Sequence, residues 1–216
     1  MKITFADKEL TLCPSGMILW PEHQLGIVSD LHLEKGSHFA QRGFFLPPYD
    51  SQETLQRLLF VCQKENLQQL IILGDCFHDP KGYDRLTPEA RFLFDQLLAF
   101  QPVWIRGNHD KDFVPEHFSA YDEFDRDGLV FRHQAAPNAI NEISGHFHPK
   151  ISIMHKGGYL QRDCFVTDGR KLIVPAFGAY TGGMAVDSDP VKSLFIAPVH
   201  VYALGEERVF SLPSKI

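Results

Sequence analysis

The residues best suited to chemistry in this chain are histidines, aspartates and one asparagine, each closing a short apolar run. Gly107-Asn108-His109-Asp110 follows Val103-Trp104-Ile105, and Asp30-Leu31-His32 follows Leu25-Gly26-Ile27-Val28-Ser29. Gly74-Asp75 follows Leu70-Ile71-Ile72-Leu73. His133 follows Leu129-Val130-Phe131-Arg132, and Gly145-His146-Phe147-His148 follows Glu142-Ile143-Ser144. Carboxylate and amide oxygens suit hard cations, and imidazole suits Mn, Fe or Zn. With no thiolate among them, the set does not describe a structural zinc site. Asp30, His32, Asp75, Asn108, His133, His146 and His148 are too many ligands for one small ion. They suit two ions sharing a carboxylate. Asp30 and His32 lie two apart, so an extended chain would point both side chains the same way.

The elements that must position these residues read as α/β. Short strands are expected at Ile3–Phe5, Leu10–Leu12 and Met17–Trp20. Asp50-Ser51-Gln52-Glu53 resembles a capping box opening a helix near 51–64, with an apolar stripe of Leu55, Leu58, Leu59 and Cys62. Thr87-Pro88 starts a second helix, about 88–99, expected to bury Phe92, Leu93, Leu97 and Leu98. Strand–helix–strand–helix–strand with buried strands predicts a parallel sheet. The loop Glu34–Tyr49 separates the first block from the first helix. Beyond residue 129 the short strands include Ile151–Met154, Cys164–Thr167, Leu172–Val174, Ser193–Ile196, Val199–Leu204 and Arg208–Ser211. Their turn residues predict antiparallel pairing. Strand ends in α/β sheets are where ligands bind. One domain over residues 1–216 is expected.

In combination these blocks resemble the calcineurin-like metallophosphoesterases. The resemblance implies a four-layer α/β/β/α sandwich with mixed β-sheets and flanking helices, and two divalent metals at its rim. One metal would take Asp30, His32 and His148, and the other Asn108, His133 and His146, with Asp75 bridging. Manganese is the first expectation, with Fe, Zn or Mg as alternatives. His109 becomes the acid that protonates the leaving group, and Asp110 orients it; many members carry Glu where this chain has Asp110. A narrower resemblance rests on Asp30–Gly36, Leu46-Pro47-Pro48-Tyr49-Asp50, Gly74–Asp79 and Pro175–Gly183. These stretches resemble the ligase-associated DNA damage response branch. That branch implies a DNA endonuclease and a functional link to a ligase or helicase. The rival readings are a small-molecule phosphodiesterase or nucleotide pyrophosphatase, and a scaffold that has kept the fold without the chemistry. Lipid A pyrophosphatases usually show Gly-Asn-Arg-Asp where this chain has His109.

Arg42 and His78 are the candidate substrate contacts, with Lys35, Arg106 and Arg132 as further basic residues beside the blocks. Tyr180 and Thr181 sit between glycines and could reach the site or simply make a turn. The formal charge of −6, from 27 acids and 21 bases, argues against a protein that coats nucleic acid by charge alone. The four cysteines are scattered with no C-x-x-C. The first residues have no apolar h-region, and no run is long enough to span a membrane. Cytoplasmic reduced thiols are therefore expected. Cys76, beside Asp75, is either oxidant-sensitive or a packed thiol.

Overall fold

The computed structural model describes residues 1–44, 46–110, 112–196 and 198–212. The first sheet runs β1 (Lys2–Phe5), β2 (Lys8–Leu12), β3 (Ile18–Trp20) and β4 (Leu25–Val28) as an antiparallel meander. After α1 (Lys35–Ala40) and α2 (Asp50–Lys64), β5 (Gln69–Ile72) pairs parallel to β4. Beyond α3 (Gly82–Arg85) and α4 (Pro88–Asp95), β6 (Val103–Ile105) and β7 (Ser119–Tyr121) extend the parallel half. Alternation along these strands explains why both faces are apolar. Ile27, Ile71 and Ile105 enter one core, while Val28, Ile72 and Trp104 enter another beneath α2 and α4.

The second sheet begins with β8 (Glu123–Arg126), β9 (Leu129–Arg132) and β10 (Glu142–Ser144). It continues through β11 (Pro149–His155), β12 (Gly158–Thr167), β13 (Lys171–Ile173) and β14 (Met184–Ala185). After α5 (Asp189–Lys192) it ends with β15 (His200–Leu204) and β16 (Val209–Leu212). Phe131, Ile143, Phe165 and Leu172 face the first sheet and share its inner core. The sheet is mixed rather than antiparallel, because β10 lies between β9 and β13 and is parallel to both. The outermost layer here is thin: among the described residues its only α-helix is α5, whose Val191 packs on Phe147 and Ile173.

Four local expectations are corrected. Ser193–Ile196 is not a strand; it is the turn by which the chain leaves α5, a short helix opened by Pro190 in its first turn. The loop after Glu34 contains α1. Asp50 and Ser51 do not cap α2, since neither makes a side-chain cap bond. The Asp50 carboxylate accepts from the Gly36 amide at 2.9 Å, and Ser51 Oγ accepts from the Glu34 amide at 2.7 Å. Phe92 is 69% exposed, while Phe94 is fully buried. The helix continues as a 3₁₀ segment, Gln96–Phe100, whose three-residue turn aligns Phe94, Leu97 and Phe100 on one face. Thr87 does cap α4, accepting from the Ala90 amide at 3.2 Å.

Candidate metal centre

The carboxyl ends of β4, β5, β6, β9 and β10 converge, and each predicted block leaves its strand there. Asp30, His32, Asp75, His146 and His148 all adopt left-handed backbone with positive φ. Non-glycine residues pay of order 1–3 kcal/mol each for such conformations, which concentrate at functional sites. Asp30 and His32 therefore meet through turns rather than through the pleat of an extended chain. Glycines make the approach close. A Cβ on Gly107 would lie 2.1 Å from Asp75 Oδ1, and one on Gly145 would overlap Ser29 Oγ.

Two groups of side chains result. In the first, His148 Nε2 is 3.0 Å from Asp30 Oδ1 and 3.4 Å from His32 Nε2. In the second, His133 Nε2 is 2.9 Å from Asn108 Oδ1, 3.1 Å from His146 Nδ1 and 3.4 Å from Asp75 Oδ2. Asp75 Oδ2 also lies 3.9 Å from His32 Nε2, so one carboxylate reaches both groups. Ser29 Oγ and the His146 amide hold Asp30 Oδ2. Ser29 carried no sign of this role in the sequence beyond being next to Asp30.

The electrostatics are those of buried carboxylates set among imidazoles. Burial alone would raise the Asp30 carboxyl, but the close approach of His148 and the nearby histidines holds it well below the usual range. Burial pushes His32 down to about 3 against the pull of Asp30 and Asp75. His133 goes the other way: despite burial, its bond to Asp75 and the charges of Asp30 and Asp75 raise it to about 9.

The donors fit divalent ions. Asp30 Oδ1 is buried with no hydrogen-bond partner and points at the first group's imidazoles. His133 Nδ1 donates to the Leu73 carbonyl at 2.7 Å, leaving Nε2 for the centre, the usual arrangement behind a ligating imidazole. Asp30, His32 and His148 form one set whose donor atoms could share an ion, and Asp75, His133 and His146 form another.

His109 stands beside both groups. Its Nδ1 donates to the His78 carbonyl at 2.9 Å, so Nε2 faces the cleft, 3.9 Å from Asp75 Oδ2. Its side chain is 38% exposed, more open than the buried Asp30, His32, Asp75 and His133. Asp110 does not orient this ring. Its Oδ2 accepts from the amides of Cys76 at 2.6 Å and Phe77 at 3.2 Å, and Oδ1 from Gly107 at 3.1 Å. Asp110 therefore braces the turn after β5 against the turn after β6, and burial with the Asp75 charge raises it to about 6.

The candidate substrate contacts separate. His78 lies inside the cluster, its Nδ1 3.4 Å from His32 Nδ1 and its ring stacked on His109 and Phe39. Arg42 sits on the exposed turn after α1, with no side-chain bond among the described residues. Arg106 pairs with Asp122, and Arg132 with Glu123 and Glu142. Asp79 ties the loop beside His78, joining Arg85 and His38 and accepting from the Lys81 amide. Tyr180 takes the turn reading: it bonds the Pro47 carbonyl. Cys76 is a packed thiol, and burial raises its pKa.

No described helix is long and apolar enough to cross a membrane. The chain resembles the solved structure of Pseudomonas putida nuclease MPE at 26% identity and TM-score 0.75, covering 98% of this chain and 99% of that one. A phosphoesterase from E. coli, Yfce, aligns at 17% identity and TM-score 0.44, over 87% and 97% of the two chains. A Vps29 mutant from Entamoeba histolytica aligns at 14% and 0.37, over 87% and 96%. No curated protein matches the sequence. The model of the calcineurin-like phosphoesterases matches residues 23–189, a span that carries every residue of the two ligand groups. Fold, converging strand ends and sequence agree, and the chain belongs to the calcineurin-like phosphoesterase family.

Proposed function

We propose that this chain is a two-metal phosphodiesterase that cuts DNA strands internally. The observation that carries the reading is the meeting of two ligand groups at Asp75, with the open Nε2 of His109 beside them. Asp30, His32 and His148 would hold one ion and Asn108, His133 and His146 the other, with the Asp75 carboxylate shared between the two sets. Manganese suits this mixture of oxygen and imidazole donors, as do iron and zinc. Divalent ions held there would supply positive charge to a phosphoryl group and acidify a bound water.

The chain's own residues do the rest. The His78 carbonyl keeps a proton on His109 Nδ1. A second proton on Nε2 then sits where a departing oxygen can take it, a contribution typically worth about 10²–10⁴-fold. Asp110 keeps the Gly107 turn against the Cys76-Phe77 amides, and so sets where His109 stands. His78, stacked on His109, is the first candidate contact for the strand, and Arg42 on the exposed turn after α1 the second. DNA as substrate is supported by the nuclease among the similar structures and by the sequence blocks. A role in repair beside a ligase or helicase is supported by those blocks alone.

The test is Mn²⁺-dependent hydrolysis of bis(p-nitrophenyl) phosphate against p-nitrophenyl phosphate, then of single-stranded, nicked and flapped DNA. Preference for the diester and cleavage of DNA are expected. Preference for the monoester would make the protein a phosphatase. Diester hydrolysis without DNA cleavage would point to a small phosphodiester or a nucleotide pyrophosphate.

A further inference from the structure

The stretch Pro175–Gly183 stands out in the sequence but supplies no ligand to the centre. Its main chain nevertheless touches the centre at two points. The Phe177 amide donates to the Ser29 carbonyl at 2.8 Å, and the Gly178 amide to the Asp30 carbonyl at 3.1 Å. Further on, the Met184 amide donates to the Phe147 and His148 carbonyls at 3.2 and 3.3 Å. The fit leaves no room for a side chain. A Cβ on Gly178 would lie 2.0 Å from the Leu31 carbonyl oxygen, and one on Gly183 would lie 2.3 Å from that of His148. At its start, the Val174 amide donates to the Ser144 carbonyl at 2.7 Å. The segment thus straps the end of the first sheet to the end of the second.

The contacts made directly to ligand residues fall on one side. Asp30 and His148 belong to the same ligand group. Among the described residues the strap makes no hydrogen bond to Asp75, Asn108, His133 or His146. From the other side, α2 grips the strap. Thr54 Oγ1 accepts from the Ala179 amide at 3.1 Å. Arg57 donates to the Phe177 carbonyl, and its guanidinium lies 4.5 Å above the Phe177 ring.

We infer that Arg57 and Thr54 are positioning residues that, through the 174–184 strap, set the affinity of the Asp30/His32/His148 ion site and leave its neighbour alone. The inference rests on the two-metal reading proposed above. Outer contacts that orient ligands are typically worth about 10–100-fold in metal affinity.

Mn²⁺ binding to the metal-free full chain, followed by calorimetry and electron paramagnetic resonance, tests it. Wild type is expected to take up two ions and show an exchange-coupled pair. In Arg57→Met and Thr54→Val one binding step weakens about 10–100-fold, the other holds, and a mononuclear Mn²⁺ signal replaces the coupled one. Arg57→Lys recovers part of the loss by restoring the donor without the flat stack. In a His148→Ala background, Arg57→Met leaves the remaining step unchanged. Melting of the metal-free proteins separates positioning from folding: Thr54→Val melts like wild type. Two intact steps in both variants, or equal weakening of both steps together with a lower melting temperature, would overturn the strap alone. Fewer than two ions in wild type would overturn the two-metal reading, and the strap's selectivity with it.

Discussion

Gly107→Ala tests how the bridging carboxylate is held. Gly107 opens the turn after β6, and Asp75 the turn after β5, so the two turns meet back to back. A Cβ at Gly107 would stand 2.1 Å from Asp75 Oδ1 and 2.2 Å from the Asp75 amide nitrogen. Rotating the Asp75 side chain relieves only the first contact, so the backbone must yield as well. Ordinary contact begins at 3.4 Å, which needs a shift of about 1.3 Å, and a misplacement of about 1 Å costs on the order of 10²-fold in rate. The same shift strains the amide bonds to Asp110, and overpacking of this kind costs about 1–3 kcal/mol in stability. Gly158→Ala is the control: its nearest neighbour would be the His155 carbonyl at 3.9 Å. The assay is kcat/KM on bis(p-nitrophenyl) phosphate at matched, measured metal content, with chemical denaturation alongside. The Gly107 variant is expected to lose about 10²-fold and the Gly158 variant nothing. Wild-type kcat/KM in a folded Gly107→Ala protein would mean that Asp75 is not fixed by this approach.

His109→Ala is expected to keep both metals by calorimetry while losing about 10²–10⁴-fold in turnover on DNA; normal turnover in the metal-replete variant would remove His109 from the mechanism. Asp79 is held below the usual carboxylate range: burial opposes its charge, but Arg85, the Lys81 amide and His38 outweigh it. A lowered folded pKa adds stability that is fully present above the unfolded value, about 3.9, and is lost progressively as pH falls from there through the folded pKa. Asp79→Asn should therefore cost about 1.5–3 kcal/mol at pH 7, with the gap from wild type beginning to narrow by pH 3. An unchanged gap in denaturant melts at the two pH values would refute the linkage. Phe94→Ala should cost about 3–5 kcal/mol, whereas Phe92→Ala, on the exposed side of α4, should stay within about 0.5 kcal/mol. Equal losses in chemical denaturation would contradict the placement of that helix.

What the sequence disclosed and what it concealed follow one physical division. The apolar runs before Asp30, Asp75 and Asn108 were readable because a strand buried on both faces must be continuously hydrophobic, and its polar terminus then stands out. Register within a helix was harder. Phe92 and Phe94 differ by two positions, and only the passage into a 3₁₀ turn decides which one meets Leu97 and Phe100. Asp50 and Ser51 had the composition of a cap, but the backbone of Glu34 and Gly36, distant in sequence, competes for the same oxygens. No local pattern reports that competition. The parallel run of β9, β10 and β13 was concealed by turn residues suggesting hairpins, yet the ligands themselves required it. His133 and His146 follow β9 and β10 and stand at the same end as Asp30. Two strands that deliver their carboxyl ends to one centre from adjacent positions in a sheet must run in the same direction. The residues of the centre thus constrained the pairing of the second sheet more tightly than its turn residues did.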